Sequence, residues 1–216
     1  MNKSVYTSYN PFFILPFIVW LIAGGFFLAS YNKEALFMYV NSRYGEYSDV
    51  AMSYLTNLGE GVIIISTLLL LPLLIKKLRS PKYFGAALTA NIGAFLLSQG
   101  LKSYFNHPRP LTYFQKGQLV HIAESWGHYY HRSFPSGHTT SAFALFCFLS
   151  LFLPPRYRAW GLLFFSLALV VAYSRIYLAA HFFLDVYVGS IIGTFFSIFA
   201  VSIFYTNTYR PMIKSS

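Results

Sequence analysis

The chain has 216 residues, of which 56% are hydrophobic, 20% aromatic and only 10% charged, with positive mean hydropathy. A soluble domain carries about 25% charged residues, so composition points to a membrane protein, and the length suits one multi-span domain over residues 1–216. Net charge is +10, but the cations form no stripe on a soluble face and no nucleic-acid fold signature accompanies them, which excludes nucleic acid as the expected partner.

Six stretches approach the ~20 apolar residues that a bilayer requires; they run over residues 12–30, 55–75, 83–104, 139–153, 159–173 and 182–205. The first ends on the small residues Ala29 and Ser30, as a cleaved leader does. Its apolar part exceeds the roughly 7–15 residues of a leader's core and only Lys3 precedes it, so a retained span is expected. Tyr31–Tyr54 reads as a polar loop, with Glu34, Glu46 and Asp49 against Lys33 and Arg43. The second stretch has Glu60 near one end, read as interfacial with a role at the site as the alternative, and is followed by Lys76, Lys77, Arg79 and Lys82.

The third stretch repeats Ala86, Ala90 and Ala94, small residues that let helices approach closely in lipid. It leads into a first polar block, Lys102-x6-Arg109-Pro110. Pro108 and Pro110 end the helix and press His107 and Arg109 towards extended backbone, so two cations converge from a helix end and a rigid loop. On their own they also read as cations snorkelling to the interface. The connection that follows carries His107, His121, His128 and His131 with Tyr113, Trp126, Tyr129 and Tyr130. The His128-x2-His131 spacing invites a metal reading, yet no cysteine is near and Glu124 is the one acidic neighbour. An aromatic rim at the headgroup level is preferred, and no metal ligand is assigned.

The second block is Pro135-Ser136-Gly137-His138, directly before an apolar helix. Ser136 suits an N-cap, and Gly137 lets backbone approach a ligand. The free N–H groups of that first turn, with the positive end of the helix dipole, form an anion site. His138 in the same turn can give or take a proton; an ordinary helix cap with an interfacial histidine is the alternative. Within the fourth stretch, Cys147 is the only cysteine, so no internal disulfide is available and an inert packed thiol is expected.

After Arg156, Arg158 and the fifth stretch comes the third block, Ser174-Arg175-x5-His181-x3-Asp185. His181, Asp185, Gly189 and Gly193 recur every four residues and share one face as the sixth stretch begins. Asp185 is the only acidic residue after Glu124, and an ionisable group in an apolar segment is a functional hypothesis by default. A carboxylate one turn from a histidine can hold one ring nitrogen and leave the other basic, while Arg175 can grip a phosphate with two donors. A buried His–Asp pair that only ties helices together is the structural alternative. The cations of the two short loops, with Arg210 and Lys214 of the tail, belong on one side, which is the cytoplasm. Both termini are then inside, and all three blocks fall on the outer face.

Taken together and in order, the three blocks resemble the signature of the type 2 phosphatidic acid phosphatase superfamily, K-x6-R-P, P-S-G-H and S-R-x5-H-x3-D, with no departure at a signature position. The resemblance covers nearly the whole chain and implies an all-α bundle of six transmembrane helices with its active site at the outer membrane interface. It implies His181 as a nucleophile forming a phosphohistidine, Asp185 as its orienter, and His138 as general acid and then base. Lys102, Arg109 and Arg175, with Ser136 and the Gly137 backbone, would hold the phosphoryl oxygens, and no metal or other cofactor is implied. The expected activity is that of a lipid phosphatase of the bacterial inner membrane. Polyprenyl diphosphate (undecaprenyl diphosphate among them), phosphatidylglycerol phosphate, phosphatidate and lipid A are the candidate substrates. A non-catalytic protein that binds or moves phosphorylated lipid with the same cations is the alternative. Vanadate-dependent oxidases share such a site but are large and soluble. Nothing in the sequence sets the oligomeric state.

Overall fold

The computed structural model describes residues 9–114, 120–123 and 130–205, and the regular structure among them is helical. Helix α1 spans Pro11–Ser30; Asn10 caps it by accepting from the Phe12 N–H, and Pro11 occupies the first turn, where its missing donor costs nothing. Buried Asn10 also donates from Nδ2 to the Ser150 and Arg158 carbonyls, which fastens the start of α1 to two later segments.

The segment expected to be a loop folds instead into two helices, α2 (Lys33–Asn41) and α3 (Glu46–Leu55). The Asn32 side chain starts α2 by accepting from the Ala35 N–H, a cap that the charge balance of the segment obscured. A 3-10 turn, Thr56–Gly59, and a 55° bend then lead into α4 (Gly61–Leu74). The second apolar helix therefore begins at Gly61 rather than Leu55. At 14 residues it is about 21 Å long, shorter than a bilayer core. Arg79 folds back on its end, donating from Nε to the Pro72 carbonyl and from Nη2 to that of Leu73.

Helix α5 (Pro81–Phe105) starts at a Ser80 cap and stops at Asn106, whose left-handed backbone (φ 43°) closes the helix before Pro108. A single turn, α6 (Pro110–Tyr113), follows. The remaining helices are α7 (Gly137–Leu151), α8 (Trp160–Tyr177) and α9 (Phe183–Tyr205). Among the described residues, α1, α5 with α6, α8 and α9 are long and apolar enough to span a membrane, and α3 with α4 makes a fifth if the bent pair counts as one. The 15-residue α7 is shorter. It is the central element, packed on α9, α8 and α5 and buried along most of its length.

Close approach of α9 to α7 depends on two glycines. A Cβ on Gly193 would lie 2.3 Å from the Thr140 carbonyl oxygen, and one on Gly189 would lie 2.9 Å from that of Ser136. Ala86, Ala90 and Ala94 are buried on α5, whose main partner is α9. Apolar side chains cover the outward faces, with Val19, Ile22 and Phe26 on α1, Leu88 and Leu96 on α5, and Phe195 on α9 exposed. Apolar surface on this scale belongs in lipid, and the chain is a membrane protein.

Candidate active site

Helix α5 delivers Lys102 to its own end, where the side chain is 7% exposed and Nζ donates to the Arg132 carbonyl at 3.0 Å. Past Asn106 the chain is extended, as the two prolines require, and Arg109 has φ −83° and ψ 166°. This stretch pairs with the approach to α7: the Arg109 N–H donates to the Tyr130 carbonyl and the Ser133 N–H to that of His107. The Arg109 guanidinium donates from Nε to the His131 carbonyl (2.8 Å) and from Nη1 to that of Ala180 (3.2 Å). Its Nη1 also lies 3.5 Å from His181 Nε2. The first block is thus tied to the segment that leads into the second and directly to the third.

At the start of α7, Ser136 is the N-cap, fully buried, with Oγ accepting from the Thr139 N–H and hydroxyl. Its own N–H donates to the Asp185 carbonyl at 3.0 Å, which sets the mouth of α7 against the start of α9. A Cβ on Gly137 would meet only Lys102 Cε, at 3.7 Å, so packing within the protein does not demand glycine there. His138 follows, partly exposed, with Nε2 2.8 Å from Glu60 Oε1.

The third block is almost wholly buried: Arg175 and His181 are each 1% exposed and Asp185 3%. Arg175 ends α8 and donates from Nη1 to Thr56 Oγ1 at 2.7 Å. His181 lies in the connection to α9, its Nδ1 3.4 Å from Asp185 Oδ2 and 3.5 Å from Ser133 Oγ. Asp185 Oδ2 accepts from the Ser133 hydroxyl (2.5 Å) and the Phe182 N–H (2.9 Å). Burial pushes the His181 ring well below the usual histidine range, and the charges of Arg109, Lys102, Arg175 and His138 add to that, in that order. A neutral imidazole keeps a lone pair that can attack an electrophile, and three cations beside it can hold an anion.

All eight residues expected at the site therefore converge, from α5, its following loop, α7, the end of α8 and the start of α9. Three further side chains join them. Ser133 stands two residues before the second block, Glu60 lies near the end of the second apolar stretch, and Thr56 carries no signal in the sequence. Among the described residues, which include His107, His121 and His131, no three His, Cys, Asp or Glu side chains converge as metal ligands would. His121 bonds Asp49 (2.8 Å) and stacks on Tyr44 with centroids 3.9 Å apart, and its backbone N–H and carbonyl pair with the Asn41 side-chain amide. His107 packs its ring against Phe105 and Phe134. Tyr113 bonds Glu34 and lies under Lys33, whose Nζ is 3.6 Å from the ring centre, which anchors α2. Glu124, Trp126, His128 and Tyr129 lie outside the described residues.

Comparison with known proteins gives this geometry a family. Lipid phosphate phosphatase 1 of Arabidopsis thaliana is 39% identical over 91 residues, which cover 37% of this chain and 28% of that protein. Lipid A 1-phosphatase of Rhizobium johnstonii is 34% identical over 109 residues, 50% of this chain and 43% of that protein. The matched segments thus span less than half the length of these two relatives. Among solved structures, LpxE of Aquifex aeolicus aligns with a TM-score of 0.68 at 28% identity, over 81% of this chain and 98% of that one. The transmembrane PAP2 type phosphatidylglycerolphosphate phosphatase of Bacillus subtilis shares the fold, with a TM-score of 0.65 at 23% identity over 94% and 98% of the two chains. The family model for the PAP2 superfamily matches residues 83–209, more than half of the chain and all three polar blocks. The chain belongs to the PAP2 superfamily.

Proposed function

We propose that the protein is an integral-membrane phosphatase that removes phosphate from a lipid phosphate or diphosphate through a phosphohistidine. One observation carries the reading: buried His181 turns Nδ1 to Asp185 and Nε2 to the Arg109 guanidinium, inside the cluster of Lys102, Arg109 and Arg175. With the ring proton on Nδ1, the Nε2 lone pair attacks phosphorus. The P–O bond to the lipid breaks, its electron pair passes to the leaving oxygen, and His138 protonates that oxygen. A water then gives a proton to His138 and its oxygen attacks phosphorus. The P–N bond breaks, its electrons return to His181, and inorganic phosphate leaves. Three cations and the N–H groups at the start of α7 hold the phosphoryl oxygens throughout. That is the charge stabilisation phosphoryl transfer needs, and it requires no metal.

The names of the relatives favour a lipid substrate, as do the exposed apolar faces of the helices. Polyprenyl diphosphate, phosphatidylglycerol phosphate, phosphatidate and lipid A remain the candidate substrates. Loop charge supports six spans in the inner membrane, both termini in the cytoplasm and a site open to the outer leaflet. The test is phosphate release by purified protein in detergent from a panel of these lipids, with EDTA present. Wild type is expected to turn over at least one, and His181→Ala none. Turnover that survives His181→Ala overturns the nucleophile, and activity lost to EDTA but restored by a divalent ion overturns the metal-free reading. Binding of the lipids with no release from any would instead identify a non-catalytic lipid binder.

A further inference from the structure

The short turn between α3 and α4 touches two of the site's signature residues, although it lies before residue 83, where the family match begins. Thr56, fully buried, accepts from Arg175 Nη1 at 2.7 Å. Three residues on, Gly59 rests against the start of α7: a Cβ there would lie 2.6 Å from the His138 carbonyl oxygen and 3.0 Å from His138 Cβ. No other residue type lets the turn come so near. Glu60 follows, in extended backbone (φ −74°, ψ 141°) at the point where α4 begins. Its N–H donates to the Asn57 carbonyl and its carbonyl accepts from the Ile64 N–H, so both sides of the residue are fixed. From there Oε1 reaches His138 Nε2 at 2.8 Å.

We infer that Thr56–Glu60 is a fourth block of the active site, in which Glu60 is the positioning residue for His138 and Thr56 aims Arg175. This rests on the reading of His138 as the proton donor to the leaving oxygen. Lys102 from α5, Arg109 from the loop after it and Arg175 from α8 all bear on the His138 ring with positive charge. Glu60 brings the opposite charge to the same ring. A carboxylate at hydrogen-bond distance fixes the rotation of an imidazole and offsets the charge it gains with a second proton. Asp185 stands in a similar relation to His181, so each histidine has its own carboxylate. Glu60 adds no covalent step. The Glu60 side chain is about half exposed (47%) and that of His138 23%. An ion pair so open to water contributes little to stability, so a Gln at position 60 leaves the fold intact.

The test uses the dependence on leaving group. Wild type, Glu60→Gln and His138→Ala are assayed in detergent micelles with phosphatidate, whose leaving oxygen must be protonated, and with 4-nitrophenyl phosphate, whose phenolate departs unaided. The quantity read is kcat/KM, because it reports the steps up to loss of the leaving group. Glu60→Gln should lower kcat/KM for phosphatidate about tenfold or more, within the 10²–10⁴ that a general acid supplies, and change it less than about threefold for 4-nitrophenyl phosphate. His138→Ala should show the same contrast more strongly. If His138→Ala discriminates between the two substrates and Glu60→Gln lowers both equally, or neither, the positioning role of Glu60 is overturned. If His138→Ala itself lowers both equally, the proton-donor reading has failed, and the inference with it.

Discussion

At His181, burial and charge act in the same direction: the ring is 1% exposed, and Arg109, Lys102 and Arg175 stand close enough to oppose a second proton. Its ring therefore stays neutral at pH values where an exposed histidine, with its ordinary value of 6.5, is half protonated. Two consequences follow with defined sign. The acid limb of kcat/KM should lie below pH 6.5, since on the proposed mechanism protonation of His181 in the free site removes the lone pair that attacks phosphorus. Below the same pH the unfolded chain takes up a proton that the folded one refuses. His181 therefore lowers stability progressively as pH falls from there, and contributes no pH dependence above it. A pH–rate profile and urea unfolding at several pH values measure the two effects. Asp185→Asn keeps the shape but loses the charge facing Nδ1, and should lower kcat about 10³–10⁴-fold while phosphate still binds to the untouched cations. Steady-state kinetics with inorganic phosphate as competitor separates these. His181, Asp185 and the cations were legible in the sequence because reactive residue types stand at fixed spacing where apolar segments end. Ser133 and Thr56 were not, and Glu60 only as an alternative to an interfacial residue, because their partners stand 52, 119 and 78 positions away.

Among the elements, α7 and α9 decide the site's geometry. The Ser136 N–H bonds the Asp185 carbonyl, and about one and two turns further in Gly189 and Gly193 lie directly on the α7 backbone. Gly193→Ala would place a Cβ 2.3 Å from the Thr140 carbonyl oxygen, and main chain cannot yield as a side chain does. The expected cost is about 1–3 kcal/mol from overpacking, with phosphate release falling alongside because α9 carries Asp185 away from Ser136. Thermal unfolding in detergent and the release assay check both. By contrast, Gly137→Ala meets only Lys102 Cε at 3.7 Å, so it should unfold at the wild-type temperature yet weaken phosphate binding. The four-residue spacing of His181, Asp185, Gly189 and Gly193 suggested one helix face; Asp185, Gly189 and Gly193 do lie on α9, whereas His181 lies in the connection just before it. The helices α2 and α3 were not visible. Their mixed charge and modest hydropathy resemble a loop, and what holds them is tertiary: Asp49 on His121 and Tyr177, and Lys33 against Tyr113.

At the scale of the whole molecule, apolar faces, basic connections and a polar mouth must agree on one orientation. Tyr47 on α3 (93% exposed) belongs to the end of the bundle that carries the site, and Lys76 follows α4 at the other end. With buried Cys147 replaced by alanine, a membrane-impermeant maleimide added to intact cells should label Tyr47→Cys and leave Lys76→Cys unlabelled until the cells are opened. The reverse pattern would overturn the assigned orientation. Composition alone determined that this chain lives in lipid, and the residue types and spacings of three blocks determined the family to which it belongs. Tertiary structure decided the rest. It bent the second apolar segment at Gly59 and Glu60, buried a short α7 at the centre, and brought the Thr56–Glu60 turn onto His138 and Arg175. The physical reason is that periodicity and spacing report what a segment presents, whereas a carboxylate's partner depends on which segments pack together.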